Sequence, residues 1–228
     1  MVIRGASGGF TEQLYYADGL NDEFYNGNIS TIKWKAANDN SYQGYNMEYD
    51  DNNRLTSATF GSGDNLTGNK GYFNESAKYD NNGNIINLKR CGLVNKMYGG
   101  FGLVDNLTMT YDGNRLMSVR DDASRPIYTG ATDFDGKKGQ EYPLTYNESG
   151  ALVSDAGRKI ARIDYDAFSN PIRIQFTNGN VTKYIYSATG EKLRVIYQTA
   201  VPNLSVPIGT ARELSPSEIL STDYTDYL

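Results

Sequence analysis

The chain of 228 residues contains no histidine. Its absence removes the usual general base near neutral pH and the commonest metal ligand. A single cysteine, Cys91, excludes an internal disulfide framework and a cysteine-rich zinc site. Lysine and arginine form no run or patch, and a net charge of −5 is spread along the chain, which argues against nucleic-acid binding. No apolar stretch approaches the roughly 20 residues of a membrane-spanning helix. The opening MVIRGASGGF has no apolar core of a secretory signal. Aliphatic residues are scarce as well. Leu, Ile, Val and Phe together make up about a fifth of the chain, near the level at which disorder sets in. Low charge and 19 tyrosines do not fit a solvated coil, however. Tyrosine must do the packing that aliphatics do elsewhere, with its hydroxyl at a wet or hydrogen-bonded edge.

Those tyrosines recur in one sentence. YDNNGNI, Tyr79 to Ile85, has six other versions: FYNGNISTIKW from Phe24, EYDDNNRLTSATF from Glu48, TYDGNRLMSV from Thr110, TYNESGALVSD from Thr145, DYDAFSNPIRIQF from Asp164 and IYSATGEKLRVIY from Ile185. The anchors are Tyr25, Tyr49, Tyr79, Tyr111, Tyr146, Tyr165 and Tyr186, at spacings of 24, 30, 32, 35, 19 and 21 residues. A period this variable describes a fixed hairpin unit joined by connections of free length. Two places before the anchor stands an apolar residue in most copies: Met47, Met109, Leu144, Ile163 and Tyr184. That spacing puts both side chains on one face of a strand. Asp, Asn, Gly and Ser then reverse the chain, and a second strand opens with Ile29, Leu55, Ile85, Leu116, Leu152, Ile172 or Leu193. FTNGNV from Phe176 adds an Asn-Gly turn.

After the turn, apolar residues fall three apart: Ile29 and Ile32, Leu55 and Ala58, Ile85 and Leu88, Leu116 and Val119. In runs this short, rich in Thr, Ile and Tyr, the spacing predicts a β-bulge, not a helical turn. The expectation is an all-β protein of a dozen or more antiparallel strands, stacked hairpins forming one long, twisted, curved sheet. Anchor tyrosines and the first aliphatics after each turn should line its better-buried face. Residues 1–200 form the array. Residues 201–228, with Pro202, Pro207 and Pro216, read as a connector that closes on DYTDYL, the entry into a further strand.

The tyrosine–aspartate, turn, Gly-Asn/Arg-aliphatic unit resembles the YD repeat of the RHS (rearrangement hot spot) family. YNGNISTIKW, YDDNNRLTSATF and YGGFGLVDNLTMTYDGNRLMSV are similar to its Bacteroidetes-type version. The resemblance runs from about Leu14 to Tyr197. It implies a ribbon of stacked hairpins that, in full-length members, winds into a hollow shell around a C-terminal toxin or effector domain. It also implies a secreted or cell-surface bacterial protein, with further YD repeats or an effector domain of a longer chain as partners. The related barrel of the metazoan teneurins serves adhesion. The Asp-Pro-x-Gly-Leu self-cleavage string that ends the family's core is absent, and no compact toxin domain follows the last repeat. Toxin activity and self-cleavage are not carried over, and the chain reads as a fragment of a longer array, or a small remnant of one. Sheet edges cut from an array would self-associate through strands.

Candidate sites yield to plainer readings. DNNGN, Asp80 to Asn84, has glycine fourth and Cys91 twelfth, where a calcium loop of the EF-hand kind needs glycine sixth and an acid twelfth. DFDG, Asp133 to Gly136, departs in the same way. GATDFDGKK from Gly130 puts Lys where a phosphate loop needs Ser or Thr after Lys137, and YGGFGLVD from Tyr98 lacks dinucleotide spacing. Asp50, Asp80, Asp112 and Asp166 occupy equivalent turn positions, which a structural role predicts and a catalytic pair does not. No catalytic residue, cofactor or metal is expected. Trp34, Tyr42, Tyr45, Tyr72 and Tyr128 lie outside the anchors and are candidates for stacking on carbohydrate or another protein. The competing reading has them covering the sheet against neighbouring strands. Without a histidine partner, Cys91 reads as a packed side chain.

Overall fold

A computed structural model of the chain describes residues 2–4, 9–20, 23–97, 99–124, 126–127, 133–134 and 136–227. It divides into two compact units, residues 1–114 with 120–140, and residues 115–119 with 141–228. The first holds β1 (Val2–Arg4), β2 (Phe10–Tyr15), β3 (Thr31–Ala36), β4 (Gln43–Tyr49), β5 (Leu55–Ser62), β6 (Glu75–Tyr79), β7 (Ile85–Asn95) and β8 (Gly100–Asp112). β9 (Arg115–Asp121) straddles the division. The second holds β10 (Glu141–Tyr146), β11 (Leu152–Asp155), β12 (Ile160–Tyr165), β13 (Pro171–Phe176), β14 (Val181–Tyr186), β15 (Lys192–Ala200) and β16 (Ile219–Asp226). Within each unit every strand pairs antiparallel with its neighbour in sequence, without a crossover. This is an all-β fold of stacked hairpins. Among the described residues no helix is long and apolar enough to cross a membrane.

The turns show why Asp and Asn recur. The Asp80 amide donates to the Asn84 carbonyl at 3.0 Å, and the Gly83 amide donates back to the Asp80 carbonyl at 3.2 Å. Asp80 Oδ1 accepts the amides of Asn82 and Asn84, both at 2.9 Å. Asp50 accepts the amides of Asn52 and Arg54 in the same way, and Asp166 those of Phe168 and Asn170. The aspartate thus satisfies two turn donors that the reversal would leave exposed. The fourth turn residue is left-handed in each: Asn53 at φ 61°, Gly83 at 89°, Gly150 at 80°, Ser169 at 65° and Gly190 at 87°.

The three-residue apolar spacing resolves into a bulge opposite the tyrosine. Glu48 pairs with Ser57 and Tyr49 with Leu55, so Thr56 is the extra residue. The same skip leaves out Ile86, Val153, Ile172 and Leu193 opposite Tyr79, Tyr146, Tyr165 and Tyr186. One inserted residue turns a spacing of two into three, keeping Leu55 and Ala58, or Ile85 and Leu88, on the tyrosine's face. In the last two copies the turn is followed by Pro171 and Lys192, which take the place opposite the tyrosine. Ile172 and Leu193 therefore fall in the bulge and stand exposed, contrary to expectation.

Few side chains are fully buried, and most of the apolar ones are small. Glycine makes room where large ones do enter. Gly44 and Gly61 face each other across β4 and β5, and Leu66 from the following loop fills the space they leave, 2% exposed. A Cβ on Gly61 would lie 2.0 Å from the Leu66 carbonyl oxygen. In the second unit the proline-containing segment 201–218 lies against the strands. Val206 is buried and donates its amide to Thr177, and the Gly209 amide donates to Ala161.

Gly83→Ala should cost about 1 kcal/mol in urea denaturation, because its φ is accessible to Ala only with strain. Asn53→Gly should cost nothing. Acid provides a second check. The Arg54 amide is the main cause holding Asp50 below the usual carboxylate range, and the side-chain amides of Asn84 and Asn170 do so for Asp80 and Asp166. Each folded value lies below the unfolded one, so this stability is complete above about pH 4 and is lost as pH falls through the lowered values. The urea midpoint should hold from pH 7 to 5 and decline below 4.

Candidate functional site

Six anchors make one contact that repeats. The phenol of Tyr49 donates to the Ile29 carbonyl at 3.0 Å, Tyr79 to Leu55 at 2.7 Å and Tyr111 to Ile85 at 3.0 Å. In the second unit Tyr146 donates to Leu116 at 2.7 Å, Tyr165 to Leu152 at 2.8 Å and Tyr186 to Pro171 at 3.0 Å. Leu55, Ile85, Leu152 and Pro171 are the residues paired with the preceding tyrosines, beside each bulge. A bulge interrupts the strand ladder, and the next hairpin's phenol supplies a donor to the carbonyl beside it. Burial pushes the phenols of Tyr49, Tyr146, Tyr165 and Tyr186 above their ordinary values, so they stay protonated as donors.

Tyr25 is the exception. It sits in a bend, 83% exposed, and donates to Glu23. The expectation that all seven rings line one better-buried face fails here. Its i−2 residue is Glu23, so no apolar pair holds a strand in place. Phe24 instead packs edge-on against Tyr49 at 5.2 Å.

The candidate stacking residues are engaged with one another. Trp34 lies 5.7 Å from Tyr45, Tyr45 lies 5.5 Å from Phe60 and Phe60 lies 5.0 Å from Phe73. Tyr72 stacks flat on Phe101 at 3.7 Å, and Phe73 meets Phe101 edge-on. Tyr42 sits beneath the ammonium groups of Lys33 and Lys35 at 5.2 and 5.9 Å. Tyr128 lies outside the described residues. The row joins three rings that the sequence reading passed over. Phe60 is directly opposite Tyr45 in the β4–β5 register, whereas Phe73 and Phe101 come from later segments and carry no local signal.

The described residues hold one group of acids close enough to share a cation: Asp105, Asp121 and Asp133, with ligand oxygens within 4.8 Å. Asp105 is fully buried. Its Oδ2 accepts Arg90 Nε at 2.7 Å and its Oδ1 the Phe134 amide at 2.9 Å. Asp121 Oδ1 accepts the amides of Asn106 and Ala123. Through these bonds to a guanidinium and main-chain donors, Asp105 and Asp121 pin the segment after β9 to β8, while the buried Asp133 Oδ1 has no hydrogen-bond partner. Cys91 is half-buried, and burial pushes its thiol up, away from the thiolate a nucleophile needs.

Against known proteins, no family model and no curated sequence matches. Solved structures do. The crystal structure of TcdB2-TccC3-TEV superposes over 100% of this chain with a TM-score of 0.52 at 15% identity. That structure belongs to the Tc toxins, whose shells are built of RHS/YD repeats. This chain has the RHS/YD-repeat fold. It spans 12% of the length of the TcdB2-TccC3-TEV chain. The Photorhabdus luminescens Tc holotoxin pore with the TccC3-D651A mutation matches over 87% of this chain and 13% of its own at 12% identity, with a TM-score of 0.37. In RHS/YD-repeat terms, the Tyr-Asp pair combines two tasks: aspartate closes its own turn and tyrosine reaches the hairpin before.

Tyr79→Phe should cost about 1 kcal/mol in urea denaturation, the worth of a hydrogen bond whose half-buried acceptor loses its donor. Tyr25→Phe should leave the midpoint unchanged.

Proposed function

We propose that the chain is a non-catalytic structural segment, wall of an RHS/YD-repeat shell of a secreted or cell-surface bacterial protein. Its partners in that role are further YD repeats or a C-terminal effector domain of a longer chain, with residues 1–200 as array and 201–228 as connector and start of a further strand. The observation that carries this reading is the tyrosine contact, made by six copies in turn. A contact repeated from hairpin to hairpin serves extension of a sheet. A catalytic pair would break the repeat, and the acids Asp50, Asp80 and Asp166 instead perform the same turn-closing task. The fold shared with TcdB2-TccC3-TEV supports the reading. So does the packing of Trp34, Tyr45 and Tyr72 against neighbouring rings, as side chains that cover a sheet would pack.

Electron microscopy of the full-length native protein tests it. The wall reading predicts a hollow particle, with the C-terminal domain resistant to trypsin until the particle is opened. A solid or isolated module, together with glycan-array binding lost in Trp34→Ala, would replace the wall with a carbohydrate-binding surface.

A further inference from the structure

The second and sixth repeats end their turns on different residues, Arg54 and Asn170, and a groove lies beside each. In the second repeat the turn closes on Arg54. Its Nε donates to Asp50 Oδ2 at 2.7 Å, and its Nη1 donates to the Asp80 carbonyl of the next turn at 3.0 Å. The guanidinium carbon lies 4.7 Å from the centre of the Tyr79 ring. Arg115 stands at the same position in the fourth repeat and lies 5.4 Å over Tyr146. An arginine head is therefore what this repeat accepts over the next anchor ring, and around Arg54 a turn aspartate and the next turn's carbonyl complete its setting.

In the sixth repeat that position is Asn170, which makes no bridge of the kind that Asn84 makes in the third repeat by donating to the Gly113 carbonyl of the next turn at 2.9 Å. The Asn170 amide ends on Asp166 of its own turn at 3.0 Å. Among the described residues no lysine or arginine lies over the Tyr186 ring, which has Tyr184 beside it at 6.4 Å. The Ser187 carbonyl accepts the Gly190 amide, as the Asp80 carbonyl accepts Gly83 while also taking Arg54. A carbonyl oxygen has two lone pairs, so Ser187 can take a second donor. The space there is a groove of about 740 Å³ lined by Asp166, Asn170, Ile172, Tyr186 and Ser187. Its counterpart beside Arg54, lined by Asp50, Thr56 and Tyr79 at the matching positions, measures about 510 Å³. Where the second repeat carries Asn52 in the turn, the sixth carries Phe168, 83% exposed. Ile172 and Ile185 stand exposed beside it.

We propose that this groove binds an arginine side chain of a partner protein. The guanidinium would rest on Tyr186 between the Asp166 carboxylate and the Ser187 carbonyl, while Phe168 and Ile172 pack against apolar residues flanking that arginine. A planar fork suits two acceptors beside an aromatic face, which a compact ammonium fits less well. The negative charge of Asp166 and the chain's net charge of −5 favour a cationic guest. The site is independent of whether the chain forms part of a shell.

Methyl NMR of the whole chain, with Ile172 and Ile185 as reporters, tests it using the peptide acetyl-Leu-Arg-Leu-amide. Saturable shifts are expected, with binding at least fivefold tighter than the citrulline peptide and at least twofold tighter than the lysine peptide. Asn170→Arg, which supplies a guanidinium from within, should abolish binding and raise the melting temperature. Phe168→Ser should weaken binding several-fold without altering the melting temperature, and it decides the matter should Asn170→Arg not fold. Equal binding of arginine and citrulline peptides, or undiminished binding to folded Asn170→Arg or to Phe168→Ser, would overturn the proposal. So would saturable shifts with cellobiose and none with arginine, which would make the groove a sugar site.

Discussion

One hydrogen bond organises the described repeats: a tyrosine phenol given to the main-chain carbonyl beside the preceding hairpin's bulge. Strand pairing alone would join neighbours in any register that hides apolar faces. A phenol of fixed reach, aimed at one carbonyl, selects a single register for each successive hairpin. The bulge is thereby more than an irregularity. It interrupts the ladder where the next ring arrives, so the disruption in one hairpin becomes the attachment point for the following one.

This arrangement explains a composition that looks poor for folding. A sheet built by adding hairpins needs little deep interior, and the fully buried apolar set is correspondingly small, with Phe60, Leu66, Leu107 and Ile163 its largest members. Half-buried tyrosines supply apolar area through their rings and order through their hydroxyls. Aspartates hold the reversals by accepting turn amides. In the one close carboxylate group among the described residues, Asp105 likewise accepts Arg90 and a main-chain donor.

Much of this was legible in the chain. Turn residues act locally, so Asp50, Asp80 and Asp166 announced their reversals, and a spacing of three announced the bulge. The acceptor of each phenol was not legible, because it lies 13 to 30 residues away and depends on register. Tyr25 shared the motif but lacked an apolar i−2 neighbour, and it stayed outside the sheet. Ile172 and Leu193 looked like their counterparts, yet one residue after the turn moved them into the bulge. The aromatic row from Trp34 to Phe101 joins residues brought together by pairing of distant strands and by loops, which no local pattern encodes.

Native-state hydrogen exchange of Tyr165→Phe tests most directly whether the phenol couples consecutive hairpins. With the wild-type chain, amides of β10 and β11 should open together with those of β12 and β13, at one free energy. Loss of the Tyr165 hydroxyl should split them into two opening steps, with the later strands retaining their protection. Uniform protection, unchanged in pattern from the wild type, would contradict the account and leave strand pairing as the sole source of order.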